Sequence, residues 1–270
     1  MIWRTPTRKK RRYRTLFLSD LHLGMQSAQA NALLEFLDTH EAETIYLVGD
    51  IVDFWQMSRG MVWPSSHHAV LHAIVGKLWQ GSRIILIPGN HDSALRTYCG
   101  RSFGGIEVMR DSVHVTASGQ RLLVLHGDEF DAALTYPKWM RFIGDHSYEL
   151  AVYCDRLVNK VRRGLGWDHW SLAAYLKKRL GAAAAFIEEF ETALAGEAAR
   201  RNLDGVICGH IHHGADRYIG SVRYVNCGDW VESCTAVAED RLGRLQLIRW
   251  RQPVSEAKEV VTKIPLLQAA

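Results

Sequence analysis

The stretch "TLFLSDLHLG", residues 15–24, joins a short apolar run to a polar turn that ends in glycine. Short runs of β-branched and large apolar residues are typical of buried strands. The same design recurs in "TIYLVGDIVDF" (44–54), "RIILIPGNHD" (83–92), "RLLVLHGDEF" (121–130), "GVICGHIHHG" (205–214) and "VRYVNCGDW" (222–230). The sequence therefore predicts a series of buried strands, each followed directly by a polar turn.

Two segments between the early strands have the period of amphipathic helices. They are residues 27–40 and 65–80, and Ser65 or Ser66 is a candidate N-cap of the second. Alternation of strand and helix predicts βαβ units. The end of the chain differs, because 222–230 and "GRLQLIRW" (243–250) are strand-like without a helix between them. We therefore expect an α/β sandwich of mixed sheets rather than a purely parallel sheet.

The composition predicts one globular domain with a basic tail. The chain has 270 residues, 47% of them hydrophobic, and a net charge of +4. Residues 1–14 hold seven Lys/Arg and no acid, which leaves 26 basic against 29 acidic residues in the rest. We expect 1–14 to be a disordered arm and 15–270 a single domain. Residues 131–202, helical in period, interrupt the strand series and are predicted to form a helical cap insertion.

Location and partners follow from charge and cysteine content. The five cysteines are irregularly spaced without a CxxC pair, which favours reduced thiols. No apolar run reaches the ~18 residues of a membrane-spanning helix, and the N-terminus lacks the apolar core of a secretory signal. We expect a cytoplasmic protein. The basic tail, with Trp3 and Tyr13, suits an anionic membrane surface. Nucleic acid is not expected as a partner, because the rest of the chain is not basic.

Five of the predicted strands end in side chains that can bind metal ions. They are Asp20, His22, Asp50, Asn90, His91, His126, His210 and His212. The carboxyl ends of strands in α/β sheets are where ligands bind, and residues two apart in extended chain share a face. This set of imidazole, carboxylate and amide groups contains no sulfur, and it suits manganese, iron or zinc in an open catalytic site. The set is too large for one tetrahedral ion, but two ions sharing a bridging carboxylate would use it.

Five blocks resemble the signature of the calcineurin-like metallophosphoesterases: "SDLHLG", "GDIVDF", "GNHD", "HGDEF" and "GHIHHG", in family order over residues 15–214. The resemblance implies a four-layer αββα sandwich of two mixed β-sheets. It implies one divalent ion, most simply Mn²⁺, held by Asp20, His22 and His212, and a second held by Asn90, His126 and His210, with Asp50 bridging the two. A metal-bridging hydroxide would attack phosphorus, His91 would act as general acid, and Asp92 would orient His91.

A narrower resemblance concerns the substrate. "GDIVDFW", "HGDEFD" and the helical insertion are similar to the UDP-2,3-diacylglucosamine pyrophosphatase family of lipid A biosynthesis. In that family the insertion caps the site and holds acyl chains, which Tyr136, Trp139 and Phe142 could line here, or these residues could pack the cap onto its own core. One departure is His91, where well-characterised members carry arginine. We expect a nucleotide-linked lipid substrate, either UDP-2,3-diacylglucosamine or a related compound, and peripheral contact with the inner face of the cytoplasmic membrane.

Two alternatives remain at this level. A phosphodiesterase of soluble cyclic nucleotides or dinucleotides would use the same metal ligands and would need no apolar cap pocket. A non-catalytic binding scaffold would keep the fold after losing ligands. The scaffold is disfavoured, because every ligand position and His91 are filled.

Overall fold

The structure, a computed structural model, describes residues 10–60, 63–133 and 172–250. The described helices are α1 (Ala30–Thr39), α2 (Phe54–Arg59), α3 (Ser65–Trp79) and α4 (Leu172–Arg200), with 3-10 helices at Ser93–Tyr98 and Asp128–Ala133. The strands are β1 (Arg11–Leu18), β2 (His40–Val48), β3 (Arg83–Ile87), β4 (Arg101–Phe103), β5 (Ile106–Val108), β6 (Ser112–Val115), β7 (Arg121–Val124), β8 (Gly205–Cys208), β9 (Ala215–Ile219), β10 (Val222–Asn226), β11 (Thr235–Glu239) and β12 (Leu245–Arg249).

The strands form two mixed sheets, as predicted. One sheet has seven strands in the order β12-β11-β1-β2-β3-β5-β4, and the other has five in the order β6-β7-β8-β10-β9. In the larger sheet β1, β2, β3 and β5 are parallel. Strand β4 pairs antiparallel with β5, and β11 pairs antiparallel with β1. In the smaller sheet β7, β8 and β10 are parallel. The parallel strands are those that the sequence predicts to end in metal-binding side chains, with β5 and β10 in addition.

The sheets pack face to face, and helices cover their outer faces. Along β1, Phe17 faces the second sheet in a core with Val124 and Ile207, while Leu16 and Leu18 face the opposite way. This alternation follows from the two-residue period of a strand, and both faces are apolar because both are buried. Helices α1 and α3 cover the larger sheet, and α4 covers the smaller one. The result is the expected αββα order of layers.

The structure corrects the predicted boundary of the basic tail. Strand β1 begins at Arg11, so residues 11–14 belong to the sheet rather than to a disordered arm. Tyr13 is buried and stacks on His40, which removes it from any membrane-facing role. Arg14 forms an ion pair with the buried Glu239. The predicted disorder of residues 1–9 concerns a part of the chain outside the described residues.

Part of the predicted cap insertion, residues 131–202, belongs to the sandwich itself. From residue 184 onwards α4 packs on the five-stranded sheet, where Phe190, Leu194 and Ala198 are fully buried. This part of 131–202 is therefore an outer layer of the sandwich and not a cap over the strand ends, because its apolar face has the sheet to cover. Residues 134–171 lie outside the described residues, and with them the three candidate acyl-pocket residues Tyr136, Trp139 and Phe142.

Two smaller expectations concern thiols and the membrane. Cys99, Cys208, Cys227 and Cys234 are free, as predicted, and Cys154 lies outside the described residues. Within the described chain, no helix combines the length and apolarity that crossing a bilayer requires.

Candidate active site

The polar turns of both sheets converge because the parallel strands end on one side of the sandwich. The turn after β1 is tied to the turn after β2, since Asp20 N donates to Gly49 O (3.0 Å). In the other sheet, Gly209 N donates to His126 O (3.1 Å). The two sheets meet where His210 N donates to Asp20 Oδ2 (2.9 Å). These bonds bring together the turns after β1, β2, β7 and β8. The turn after β3 joins them where His91 N donates to Asp50 Oδ1 (2.8 Å).

Most of these candidate ligands lie on strained backbone. Among the described non-glycine residues with positive φ are Asp20 (55°), His22 (46°), Asp50 (53°), His210 (74°) and His212 (54°). The left-handed region costs about 1–2 kcal/mol for a residue with a side chain. Such conformations persist where the surroundings over-determine them, and they cluster at functional sites. The turns therefore position side chains at the expense of local backbone energy.

Two glycines of the signature blocks are required by close packing against the cluster. A Cβ on Gly49 would overlap the imidazole of His126, and a Cβ on Gly209 would overlap Ser19 and Asp20. Each glycine directly precedes a candidate ligand. The glycines therefore allow the turns of the two sheets to approach until the ligand atoms share one small volume.

The first group of ligand atoms comprises Asp20, His22 and His212. His212 Nε2 lies 3.2 Å from Asp20 Oδ1 and 3.1 Å from His22 Nε2. The ligand atoms of all three residues lie within 4.8 Å of one another. Asp20 Oδ2 is held by Ser19 Oγ and by His210 N, which leaves Oδ1 directed at the imidazoles. This is the triad that the family resemblance assigned to one ion.

The second group comprises Asp50, His126 and His210, whose ligand atoms also lie within 4.8 Å of one another. His126 Nδ1 lies 3.0 Å from Val48 O and must donate to it, so Nε2 is the unprotonated ligand atom of the neutral ring. That Nε2 lies 3.4 Å from Asp50 Oδ2. The same Asp50 oxygen lies 3.8 Å from His22 Nε2 in the first group. Asp50 therefore stands between the two groups, as a bridging carboxylate would.

The donor set fits a cation. Asp20 Oδ1, Asn90 Oδ1 and His126 Nε2 are buried and have no hydrogen-bond partner. A buried polar atom without a partner costs about 1–3 kcal/mol, and all three can act as electron-pair donors. A divalent ion among them would satisfy carboxylate, amide and imidazole together.

The pKa values of the cluster reflect a competition between burial, which favours neutral groups, and the charges of neighbouring side chains. Burial alone would lower the pKa of His126, but the nearby charge of Asp50 prevails and raises the pKa to about 10. For His22 burial is likewise outweighed, by the nearby carboxylates of Asp20 and Asp53, and the pKa rises to about 10. The carboxylates therefore hold protons on these imidazoles where no cation is bound. Metal binding would release those protons, because a ligating imidazole must be neutral.

His91 lies at the edge of the cluster, with its side chain 23% exposed. Its Nδ1 lies 2.9 Å from Asp53 Oδ2, an ion-pair distance without the alignment of a hydrogen bond, and its Nε2 lies 3.9 Å from Asp50 Oδ2. Asp53 also contacts His22 Nδ1 (3.1 Å) and caps α2 through Gln56 N (2.8 Å). Burial would raise the pKa of Asp53, but contacts with both imidazoles prevail and lower it.

Asp53, and not Asp92 as the sequence analysis expected, is the carboxylate that lies against His91. The Asp92 carboxylate accepts from Ile51 N (2.8 Å) and Gly89 N (2.6 Å), so it ties two turns together instead of orienting His91. Chain adjacency suggested Asp92, yet its side chain points away from its neighbour's ring. The signal that could have identified Asp53 is its position three residues after Asp50 in "GDIVDF".

A cleft of about 700 Å³ opens over the cluster. The candidate ligands Asp50, Asn90, His210 and His212 line it, together with His91. Three of its other lining residues were not predicted, namely Trp55, Arg96 and Glu232. Trp55 is 49% exposed, and its ring lies 4.3 Å from that of His91 between centroids. The cleft thus presents an aromatic surface beside the exposed imidazole.

Comparison with known proteins agrees with this architecture. The calcineurin-like phosphoesterase family matches residues 13–214. The UDP-2,3-diacylglucosamine hydrolase of Vibrio cholerae serotype O1 is 24% identical over 253 residues, which cover 87% of this chain and 96% of that protein. The protein of the same description from Edwardsiella ictaluri is 33% identical over 117 residues, 42% of this chain and 44% of that protein. A novel archaeal phosphodiesterase covers 87% of this chain and 98% of its own, with 12% identity and a TM-score of 0.40.

Fold and site together define a metal-dependent hydrolase of phosphoesters. The chain belongs to the calcineurin-like phosphoesterase family, since the family match spans most of its length. It is a metallophosphoesterase, and the cluster of histidines and aspartates at its strand ends implies divalent metal ions.

Proposed function

We propose that this chain hydrolyses a phosphoanhydride or phosphodiester bond of a nucleotide-linked lipid, UDP-2,3-diacylglucosamine or a close relative of it. The observation that carries the hydrolytic part is the convergence of three buried, unpartnered electron-pair donors beneath the cleft: Asp20 Oδ1, Asn90 Oδ1 and His126 Nε2. The lipid substrate is supported by the relatives named UDP-2,3-diacylglucosamine hydrolase, one of which matches this chain over 96% of its length.

Two ions are proposed, with Mn²⁺ preferred over iron or zinc. Asp20, His22 and His212 would hold one, Asn90, His126 and His210 the other, and Asp50 would bridge them. When bound, such a pair supplies a nucleophile at neutral pH and neutralises charge on the phosphoryl oxygens. The mixture of oxygen and nitrogen donors without sulfur supports all three of these metals.

The chain's own residues supply the proton. His91 is the imidazole of the site that is partly exposed to the cleft and not needed as a ligand in this assignment. Its Nε2 would protonate the leaving oxygen, while Asp53, 2.9 Å from Nδ1, would hold the ring in place. Asp53 is therefore proposed as a positioning residue for His91.

Substrate binding would use both the cleft and the neighbouring part of the chain. Trp55, Met25 and Val231 give the cleft an apolar wall beside the cluster. Tyr136, Trp139 and Phe142 are proposed as acyl-chain contacts. The enzyme would meet its lipid at the inner face of the cytoplasmic membrane, with the basic residues before β1 drawn to anionic headgroups.

The test is a product assay by mass spectrometry with manganese-loaded protein. UDP-2,3-diacylglucosamine and bis(p-nitrophenyl) phosphate are supplied in parallel, with Asp50→Ala as the inactive control. The proposal expects UMP and an acylated sugar phosphate from the first substrate. Cleavage of the aryl ester alone would refute the lipid substrate and direct the search to soluble cyclic nucleotides or dinucleotides. Absence of both activities would refute the phosphoesterase mechanism itself.

A further inference from the structure

The cleft over the metal cluster contains a single guanidinium. Among the described residues that line it, Arg96 is the only lysine or arginine. The carboxylates that line it outside the ligand set are Asp128, Glu129, Asp131 and Glu232, of which Asp131 contacts His210 Nε2 (2.8 Å) and Asp128 pairs with Arg96. Phosphate groups entering the cleft meet repulsion from these carboxylates and attraction at the metal site and at Arg96. Arg96 is therefore the described guanidinium that could hold a phosphoryl group which the metals do not.

Arg96 is held in place through one nitrogen of its guanidinium, Nη2. It belongs to the 3-10 helix Ser93–Tyr98, and its Nη2 donates to both carboxylate oxygens of Asp128 (2.6 and 2.8 Å) and to Pro88 O (3.3 Å). The Asp128 side chain is 10% exposed and that of Arg96 is 27% exposed. The pair is thus largely buried, which limits the rotamers open to Arg96.

The other two nitrogens of the guanidinium are available. Nε and Nη1 carry three N–H groups, and no described residue accepts from them. Nε–H and the Nη1 N–H groups lie on different edges of the guanidinium, so each can donate a separate charge-assisted hydrogen bond to a phosphate oxygen. Because Asp128 already holds the side chain, little conformational entropy would be lost when phosphate binds. Arg96 follows Asn90 and His91 in the same stretch of chain and lines the same cleft.

We propose that Arg96 binds the second phosphoryl group of a substrate with two adjacent phosphates, and so selects diphosphates over compounds with a single phosphorus. The inference rests on the proposed function, since it assumes that the first phosphoryl group lies at the metal cluster. It adds that the substrate class is a phosphoanhydride rather than a simple phosphodiester.

The test measures binding and does not depend on turnover. Manganese-loaded full-length protein is titrated calorimetrically with UMP and with α,β-methylene-UDP, which resists hydrolysis between its two phosphorus atoms. The wild type is expected to prefer the diphosphate. Arg96→Ala should weaken diphosphate binding about tenfold or more and leave UMP binding within about twofold, because charge-assisted hydrogen bonds to one phosphate are lost. Arg96→Lys, which keeps the charge without the planar fork, should fall between them.

Arg110→Ala is the matched control. Arg110 also forms one ion pair nearby, with Glu129 (2.8 Å), but it does not line the cleft, so both affinities should stay at wild-type values. If Arg96→Ala does not fold because Asp128 is left unpaired, the double variant Arg96→Met/Asp128→Asn removes both charges and is measured in its place. An unchanged diphosphate affinity, or an equal loss for UMP, would overturn the inference. Hydrolysis of bis(p-nitrophenyl) phosphate, which has one phosphorus, separately tests the metal chemistry.

Discussion

The buried carboxylate of Glu239 should make a large contribution to stability that depends on pH. It lies on β11 of the larger sheet with no exposed side-chain surface. It accepts hydrogen bonds from Arg14 Nη1 (2.8 Å) and Thr15 Oγ1 (2.8 Å) on β1. From the other sheet it meets His114 Nε2 (2.8 Å) and, just beyond β6, Ala117 N (2.7 Å). One carboxylate thus joins both sheets.

Its contribution follows from its pKa. Burial would raise the pKa of Glu239, but the bonds from His114, Ala117 and Thr15 prevail and lower it from 4.5 to about 2. A difference of about 2.5 units between the folded and unfolded chain corresponds to about 3 kcal/mol. Since the folded pKa is depressed, this stability is present above about pH 4.5 and is lost as the pH falls towards 2. At about pH 3 less than half of it would remain.

The assay is urea unfolding of the wild type and Glu239→Gln between about pH 3 and 7. The difference in free energy of unfolding should be about 3 kcal/mol at neutral pH and about half of that or less at pH 3. Glu107→Gln is the control, because Glu107 pairs with Arg83 at the surface, with side chains 32% and 52% exposed, and should cost less than about 1 kcal/mol. A Glu239→Gln deficit that stays constant over this range would show that the charge of Glu239 does not stabilise the fold.

Further outcomes concern the site. Asp50→Ala should abolish turnover and metal binding together, measured by aryl phosphate hydrolysis and metal content; retained activity would contradict the bridging role. His91→Ala should lower kcat by about 10²–10⁴ with metal content unchanged, and loss of metal would instead make His91 a ligand. Asp53→Asn should reduce kcat more than it alters metal content; a wild-type kcat would exclude the positioning role. Gly209→Ala should destabilise the fold and impair metal binding, since its Cβ overlaps Asp20; a wild-type melting temperature would refute the close approach.

Much of the fold follows from local pattern. The predicted strands correspond to β1, β2, β3, β7, β8, β10 and β12, and the two predicted helices to α1 and α3. The missed strands lack an apolar run. β4 is exposed throughout and β9 nearly so, while β11 ("TAVAE") has small side chains. Such segments become strands because a neighbour pairs with them, which depends on the assembled sheet.

The basic stretch before Thr15 shows the opposite error. Its charges resemble a solvated arm, and composition alone could not reveal that Arg14 has a buried acidic partner 225 positions later in the chain. Similarly, the distinction between a cap and a core layer in α4 depends on which surface its apolar face meets.

The candidate site was likewise determined in part by the sequence and in part by the tertiary structure. The sequence by itself determined which residues stand at the strand ends and therefore which could be ligands, because a strand's end and its two-residue period are local properties. Only the tertiary structure decided that Asp53 rather than Asp92 faces His91, that Trp55 and Arg96 reach the cleft, and that Asp50 lies between the two groups. Those facts are distances between turns of different strands. They are set by how two sheets pack, and no segment of sequence encodes them alone.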